Sequence, residues 1–386
     1  MLSMKGAIIY TGKEVIKDAF INFDHNTVAN VSNTRQGEML GEYPVITPAF
    51  IDPHCHIGMC RAGEPANEEE SNEKMDTFLT LANALDSVQM DDVSFADSIE
   101  AGILYSCVLP GSGNILGGSS AVIRNYGSTT TNALIREAPI SIKAALGYNP
   151  MSTREWKGKR PYTRMGALAL FREKIYAVIK KMEKIAKGTE MKDIDFSRED
   201  EILRDILCGK IVLRVHVHKT DDIESFLRFA DEFKAIHPEY AIKFTIDHAC
   251  DVHKIDIFHK LKERNIPVIY GPMDSLAYKV ELKHENWKNV RYLLESNVSF
   301  GLMSDHPVIL QRMILLQLRW FIRFGLSKQQ AIEIITAKNA GILGIDTILG
   351  SLEPDKWASF VCWNGDPFDM TSYPVTVYGE GRLIHL

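Results

Sequence analysis

Short apolar runs recur through the middle of the chain and divide it into eight strands, at roughly 48–56, 102–109, 120–125, 140–146, 210–217, 241–248, 266–271 and 297–305. Between most of them apolar positions recur at helical spacing, as in 222–233, 255–264, 287–295 and 307–324. Alternating strand and helix implies an α/β fold with a parallel sheet and right-handed crossovers, and eight such units predict a closed (β/α)8 TIM-like barrel. Two stretches break the rhythm. Strands two and three are joined by little more than the Gly-rich run 111–118, too short for a helix, whereas more than sixty residues separate strands four and five. Short strand-like pieces also mark both ends, at 7–10 and 19–23 and again at 358–363, 375–378 and 382–386, broken by Gly, Asn and Pro turns. The ends together predict one small β-sandwich domain, 1–47 and 350–386, around a central unit at 48–349.

Several predicted strands end in a histidine or aspartate. His54 and His56 close Phe50-Ile51-Asp52-Pro53-His54-Cys55-His56; His216 follows Leu213-Arg214-Val215, His248 follows Ile246-Asp247, and Asp305 follows Met303-Ser304. Side chains on a strand alternate faces, so His54 and His56 point the same way and Cys55 the other. Barrel enzymes keep their chemistry at the C-terminal ends of the strands. Imidazoles and a carboxylate gathered there make an N/O-rich site suited to zinc or a similar divalent ion. His218 shares a face with His216, so either can be the ligand and the other can touch substrate. Asp52 shares the face of His54 and is expected either to orient an imidazole or to be a buried structural carboxylate. His253 is expected to cap or face solvent, and His306 to pack or line the pocket. The run 111–118 lacks the Gly-Lys-Ser/Thr ending of a nucleotide loop and is expected to present backbone N–H groups at the barrel mouth.

Composition narrows the class. The chain has 386 residues, 45% hydrophobic and 24% charged, with net charge −6 and no Lys/Arg run, which argues against nucleic acid or an anionic membrane as partner. No apolar run approaches a membrane span, and the N-terminus lacks the pattern of a signal peptide. The six cysteines include no Cys-x-x-Cys and read as small hydrophobes in a reducing compartment. The expectation is a cytoplasmic protein that acts on a small molecule, with a homo-oligomer left open.

The motifs in their order resemble those of the amidohydrolase superfamily, in the branch related to imidazolonepropionase: 47–56 resembles the first-strand motif, and 110–118, 160–166, 350–356 and 358–367 are similar to other segments of that branch. The resemblance implies that His54 and His56 bind the more buried metal. It makes His216 and His248 further ligands or electrostatic groups, and Asp305 a ligand that accepts the proton of the attacking water. Strand four, 141–147, is similar to the Ile-Lys strand of binuclear members, so Lys143 is expected to be carboxylated and to bridge two ions. Its same-face neighbours Ser141, Ala145 and Gly147 are small, and carboxylation would remove the cost of burying an ammonium; an interior lysine paired with a carboxylate is the alternative. Some relatives carry Glu where this chain has Tyr148, which bears on the second ion. Tyr148, Arg160, Arg164 and His218 are the expected substrate contacts, an arginine being suited to clamp a carboxylate bidentately; surface arginines of a long insert are the other reading.

The implied activity is hydrolysis of a C–N bond, an amide or cyclic amide, with one or two divalent ions. Zinc is the first choice, with Mn, Fe or Ni as alternatives. Asp305 would be the general base, and His248 or a metal would stabilise the oxyanion. A mononuclear deaminase is the alternative enzyme; it wants a carboxylate just after the strand-five histidine, where Asp221 and Asp222 stand at a longer spacing. A non-catalytic binding protein should have lost ligands that this chain retains.

Overall fold

A computed structural model describes residues 1–136, 140–151 and 160–386. In chain order the strands are β1 (Leu2–Tyr10), β2 (Val15–Asp24), β3 (Thr27–Ser32), β4 (Glu38–Pro48), β5 (Phe50–Cys55), β6 (Ile103–Val108), β7 (Leu116–Ser119) and β8 (Ala121–Arg124). They continue with β9 (Ser141–Ala145), β10 (Val212–Val217), β11 (Phe244–His248), β12 (Val268–Tyr270), β13 (Phe300–Leu302), β14 (Phe360–Trp363), β15 (Pro374–Gly379) and β16 (Arg382–His385).

Strands from both chain ends form one continuous seven-stranded sheet, in the order β16-β15-β14-β4-β1-β2-β3, where the sequence suggested a sandwich. Three strand steps separate β2 from β14, roughly 14 Å if the sheet were flat. Phe23 of β2 nevertheless meets Phe360 of β14 edge-on, with ring centroids 5.4 Å apart. The sheet therefore curls over its own core of Met4, Ile21, Phe23, Ile46, Phe360 and their neighbours.

The central strands form two further sheets. One runs β13-β12-β11-β10-β9-β7 and the other β5-β6-β8. Pairing is parallel from β9 to β13 and between β5 and β6. The third predicted strand differs from expectation: β8 lies antiparallel to β6, and the short β7 antiparallel to β9. A parallel return needs a crossover of a dozen or more residues, and the Gly-rich link between β6 and β7 is too short to make one. Backbone hydrogen bonds join the two sheets at both edges. Ser120 N–H donates to the Ser141 carbonyl at 3.0 Å on one side; Asp305 N–H donates to the His54 carbonyl at 3.1 Å and His56 N–H to the His306 carbonyl at 2.9 Å on the other.

The parallel strands are buried on both faces, as helix-covered strands are, and read as near-continuous apolar runs for that reason. The long interval between β9 and β10 holds the helices Arg164–Ala186 and Arg198–Leu207. The first starts at Thr163, whose hydroxyl accepts the Gly166 N–H; the second starts at a reciprocal Ser197/Asp200 capping box. Ala167, Phe171, Ile175 and Val178 recur at helical spacing and face inward, with Phe171 packed against Phe226 and Phe229 of the helix Thr220–Ile236. No helix among the described residues is long and apolar enough to cross a membrane. Cys55, Cys107, Cys250 and Cys362 are buried, while Cys60 is half-buried and Cys208 exposed; all six are free thiols.

Candidate metal centre

Parallel register decides which side chains share a face. Lys143 of β9 pairs with Arg214 of β10, Arg214 with Thr245 of β11, and His216 with Asp247. Lys143, Arg214, His216 and Asp247 therefore point the same way. By strict alternation His248 would point opposite to Asp247. It does not, because His248 has φ of 81° and Ala249 of 55°, which swing the imidazole back to within 4.1 Å of the His216 ring. Asp305 likewise has φ of 52°. Left-handed backbone at non-glycine residues is uncommon, and His248, Ala249 and Asp305 bring three such positions to this cluster.

The cluster has two halves. In the first, His54 Nε2 and His56 Nε2 lie 3.6 and 3.3 Å from Asp305 Oδ1. His56 Nδ1 sits 2.7 Å from the Leu109 carbonyl, which can only accept, so Nδ1 carries the ring proton and Nε2 presents a lone pair. His54 Nδ1 is held at 2.7 Å by the Asp247 carboxylate, with the same consequence. Lone pairs of two imidazoles and one carboxylate thus converge, and Lys143 Nζ stands 2.8 Å from His54 Nε2. In the second half, His216, His218 and His248 bring ligand atoms within 4.8 Å of one another. His248 Nδ1 donates to the Gly271 carbonyl at 2.9 Å, leaving its buried Nε2 with no hydrogen-bond partner among the described residues.

Burial sets the charges. It drives the His54 imidazole down to about 3, helped by the Lys143 charge and opposed by Asp247 and Asp305. It pushes His216, His218 and His248 well below the ordinary range too, with nearby Lys279, Lys143 and the other imidazoles adding to the effect. Neutral imidazoles are the form that binds metal. Burial also lowers Lys143 to about 8, against the pull of Asp305 and Asp247. For Asp305 burial favours the neutral acid, but the His56 and His54 rings against it and the Lys143 ammonium outweigh burial and keep the carboxyl below the usual range. Asp247 is held low in the same way, against burial, by Arg214 and His54.

The residues present fit a divalent cation, since orphaned lone pairs on buried His248 and His218 ask for a positive partner. Matches to known proteins agree. Residues 45–383 match the Amidohydrolase family.

The chain belongs to the amidohydrolase family.

An amidohydrolase from Thermotoga maritima MSB8 is similar over 100% of both chains, with 28% identity and a TM-score of 0.88. Amidohydrolase tasK of Hapsidospora irregularis is 24% identical over 357 residues, 87% of this chain but 36% of its own length, so this chain spans about a third of that relative. A prolidase solved with N-methylphosphonate-L-proline shares the fold at 13% identity and a TM-score of 0.62, over 99% of this chain and 98% of that one.

Other expected residues have partners of their own. Asp52 touches no imidazole ring: its carboxyl is bonded by the Ser304 hydroxyl and by Gln311 Nε2 at 2.9 Å, and burial raises it to about 6 in spite of those donors. Tyr148 is exposed, and its backbone N–H donates to Glu281 Oε2 at 2.9 Å. Arg160 reaches the carbonyls of Pro150 and Gly113, and Arg164 pairs with Asp222 at 2.7 Å. The N–H groups of Gly111, Gly113 and Ile115 do not line the mouth; they are spent on Ser71, Asn72 and Thr77. Four residues were missed. Asp247 orients His54, Asn149 Nδ2 sits 3.2 Å from His216 Nε2, and Glu281 Oε1 lies 3.6 Å from His216 Nε2 and 3.8 Å from His218 Nε2. Lys279 Nζ stands 2.7 Å from that same oxygen. Asp247 directly precedes His248, and its register with His216 was the available signal. Glu281 and Lys279 come from a single 3-10 turn, Val280–Leu282 and the residue before it, too short to show a periodicity.

Proposed function

We propose that the protein is a metal-dependent hydrolase that cleaves a C–N bond, an amide or cyclic amide, in a small molecule. The observation that carries this reading is the meeting of two unprotonated imidazole nitrogens with the Asp305 carboxylate, a donor set of the kind that holds a divalent ion. His54, His56 and Asp305 would hold one ion, and His248 with His216 or His218 a second, with carboxylated Lys143 joining the two. An ion bound there, with zinc ahead of Mn, Fe or Ni, would polarise the scissile carbonyl and acidify water, which in the best zinc case falls from about 16 to about 7.

The chain's own residues supply the proton chemistry. Asp305 is anionic at neutral pH and takes the proton of the attacking water as the new C–O bond forms. It returns that proton to the leaving nitrogen as the C–N bond breaks. His248 carries its proton on Nδ1, which supports a role as ligand over one as donor to an oxyanion. Lys143 in its free-base form adds carbon dioxide through the nitrogen lone pair and loses one proton to become the carbamate. His218 and Tyr148 remain the substrate contacts of this reading, while Arg160 binds the Pro150 and Gly113 carbonyls and Arg164 ties its helix to Asp222. The deaminase alternative finds less support, because Asp221 is exposed and Asp222 is tied to Arg164.

We further read β5 to β13 as one closed (β/α)8-type barrel within 48–349, and the composite sheet as a separate small domain of 1–47 and 350–386. Hydrogen bonds at both edges of the inner sheets support the closure. Placement near imidazolonepropionase rests on the sequence motifs alone. The test is Asp305→Asn, assayed on N-acyl amino acids, small cyclic amides and dipeptides. An amide is nearly isosteric but accepts no proton at neutral pH. The expected result is retained fold and turnover reduced about 10²–10⁴-fold; near wild-type turnover of a genuine substrate would refute the mechanism.

A further inference from the structure

A third group of donors stands apart from the catalytic cluster. Asp251 and His253 follow β11 by three and five residues, and His284 comes from the segment after β12 that also carries Lys279 and Glu281. Asp251 is 1% exposed. Its Oδ1 accepts the backbone N–H of His284, and its Oδ2 lies 3.3 Å from His284 Nδ1. His253 Nδ1 faces the Asp251 carbonyl at 2.9 Å, so Nδ1 carries the proton and Nε2 a lone pair. That is the arrangement in which a histidine ligand is usually held, one nitrogen fixed by a carbonyl and the other free for metal.

The two rings lie 4.3 Å apart, tilted by 36°, without bonding to each other. One ligand atom from each of the three residues falls within 4.8 Å of the others. Donors around a tetrahedral zinc sit roughly 3.4 Å apart, with bonds near 2.1 Å. The remaining closure is within reach of His284, whose side chain is 43% exposed. The local field is negative as well: the half-buried Glu285 carboxyl is raised by burial and then by Asp274 and Asp251. If Asp251 served only to pin the turn at His284, nothing would call for a second imidazole stacked beside it.

We propose that Asp251, His253 and His284 form a peripheral divalent-cation site that fastens the segment 272–286 to the end of β11. Two imidazoles and a carboxylate favour a borderline ion such as zinc, with water completing its shell. Because the segment carries Lys279 and Glu281, the ion would stiffen the wall beside His216 and His218 without joining the catalytic set.

The test titrates desalted holoenzyme with zinc alone, by calorimetry and elemental analysis. It compares wild type, the His253→Ala/His284→Ala double variant and the His284→Asn single variant. The difference between wild type and the double variant counts this ion whether or not the catalytic cluster holds metal, so the result is independent of the proposed activity. The proposal expects one more ion per chain in wild type, at least tenfold weaker uptake in His284→Asn, and slower amide exchange across 272–286 on saturation in wild type only. Equal uptake by wild type and either folded variant overturns it, as does zinc binding that leaves exchange in 272–286 unchanged. His284→Asn replaces a side chain that is 43% exposed and is expected to keep the fold, so the comparison stands even where the double variant does not fold.

Discussion

Asp247→Asn separates the support of the metal centre from its chemistry. Asp247 is fully buried, and Arg214, 2% exposed, approaches it through Nη2 at 2.7 Å and Nε at 3.0 and 3.2 Å. The Thr245 hydroxyl donates to Oδ1 at 2.6 Å and His54 Nδ1 to Oδ2 at 2.7 Å. Every neighbour is a donor, so an amide must turn its NH2 toward a donor and offers no charge. The other contacts of Arg214 are the Pro53 carbonyl at 2.9 Å and the Cys107 sulfur at 3.8 Å, neither of which replaces a carboxylate. Breaking one side of a buried pair costs about 3–5 kcal/mol. For 386 residues unfolding together, an entropy of about 2.1 cal/mol/K per residue converts this to a fall in Tm of about 4–6 °C. Loss of the anchor on His54 should also weaken metal binding about 10–100-fold.

Chemical denaturation and metal titration of the same preparations check both numbers. The double variant Arg214→Gln/Asp247→Asn should recover part of the stability, because no charge is left buried without a partner, and none of the metal affinity. If Asp247→Asn leaves both the unfolding free energy and the metal affinity unchanged, Asp247 does not position His54 and the assignment of its tautomer fails.

Three further outcomes follow from the same geometry. Lys143 is expected to be carboxylated: with its amine lowered to about 8, the free base grows about tenfold between pH 7 and 9, so uptake of isotope-labelled carbon dioxide at fixed dissolved CO2 should rise accordingly. Magnetic resonance showing no labelled carbamate in metal-loaded protein would remove the bridging role. Tyr105→Phe should cost about 1 kcal/mol without changing kcat, because its buried hydroxyl bonds Ser359 at 2.6 Å and Tyr126 at 3.3 Å, on the side of the composite sheet; a change in kcat with unchanged stability would contradict that placement. Asp305→Asn should differ from Asp247→Asn in keeping its unfolding midpoint while losing turnover, which calorimetry and kinetics on one preparation decide.

What could be read from the sequence was whatever periodicity encodes. Buried parallel strands are apolar and short, so β5, β9, β10 and β11 stand out, and with them the histidines at the ends of β5, β10 and β11. The antiparallel turn of β8 was harder, because an apolar run does not reveal its direction; only the short link 109–115 constrained it. Strand alternation also misdirects at His248, whose left-handed φ places it on the same side as Asp247, and this hid Asp247. Arg160 and Arg164 looked like substrate clamps from their place after β9, yet their guanidiniums meet carbonyls and Asp222. Glu281 and Lys279 reach His216 and His218 from a loop whose course depends on tertiary packing, which no local pattern records.

The central claim is that the converging lone pairs at His54, His56 and Asp305 hold a divalent ion. Elemental analysis of purified wild type against the His54→Ala/His56→Ala double variant tests it most directly. The account predicts tightly held metal in wild type and loss of at least one ion per chain in the folded variant; equal metal content in the two would contradict it.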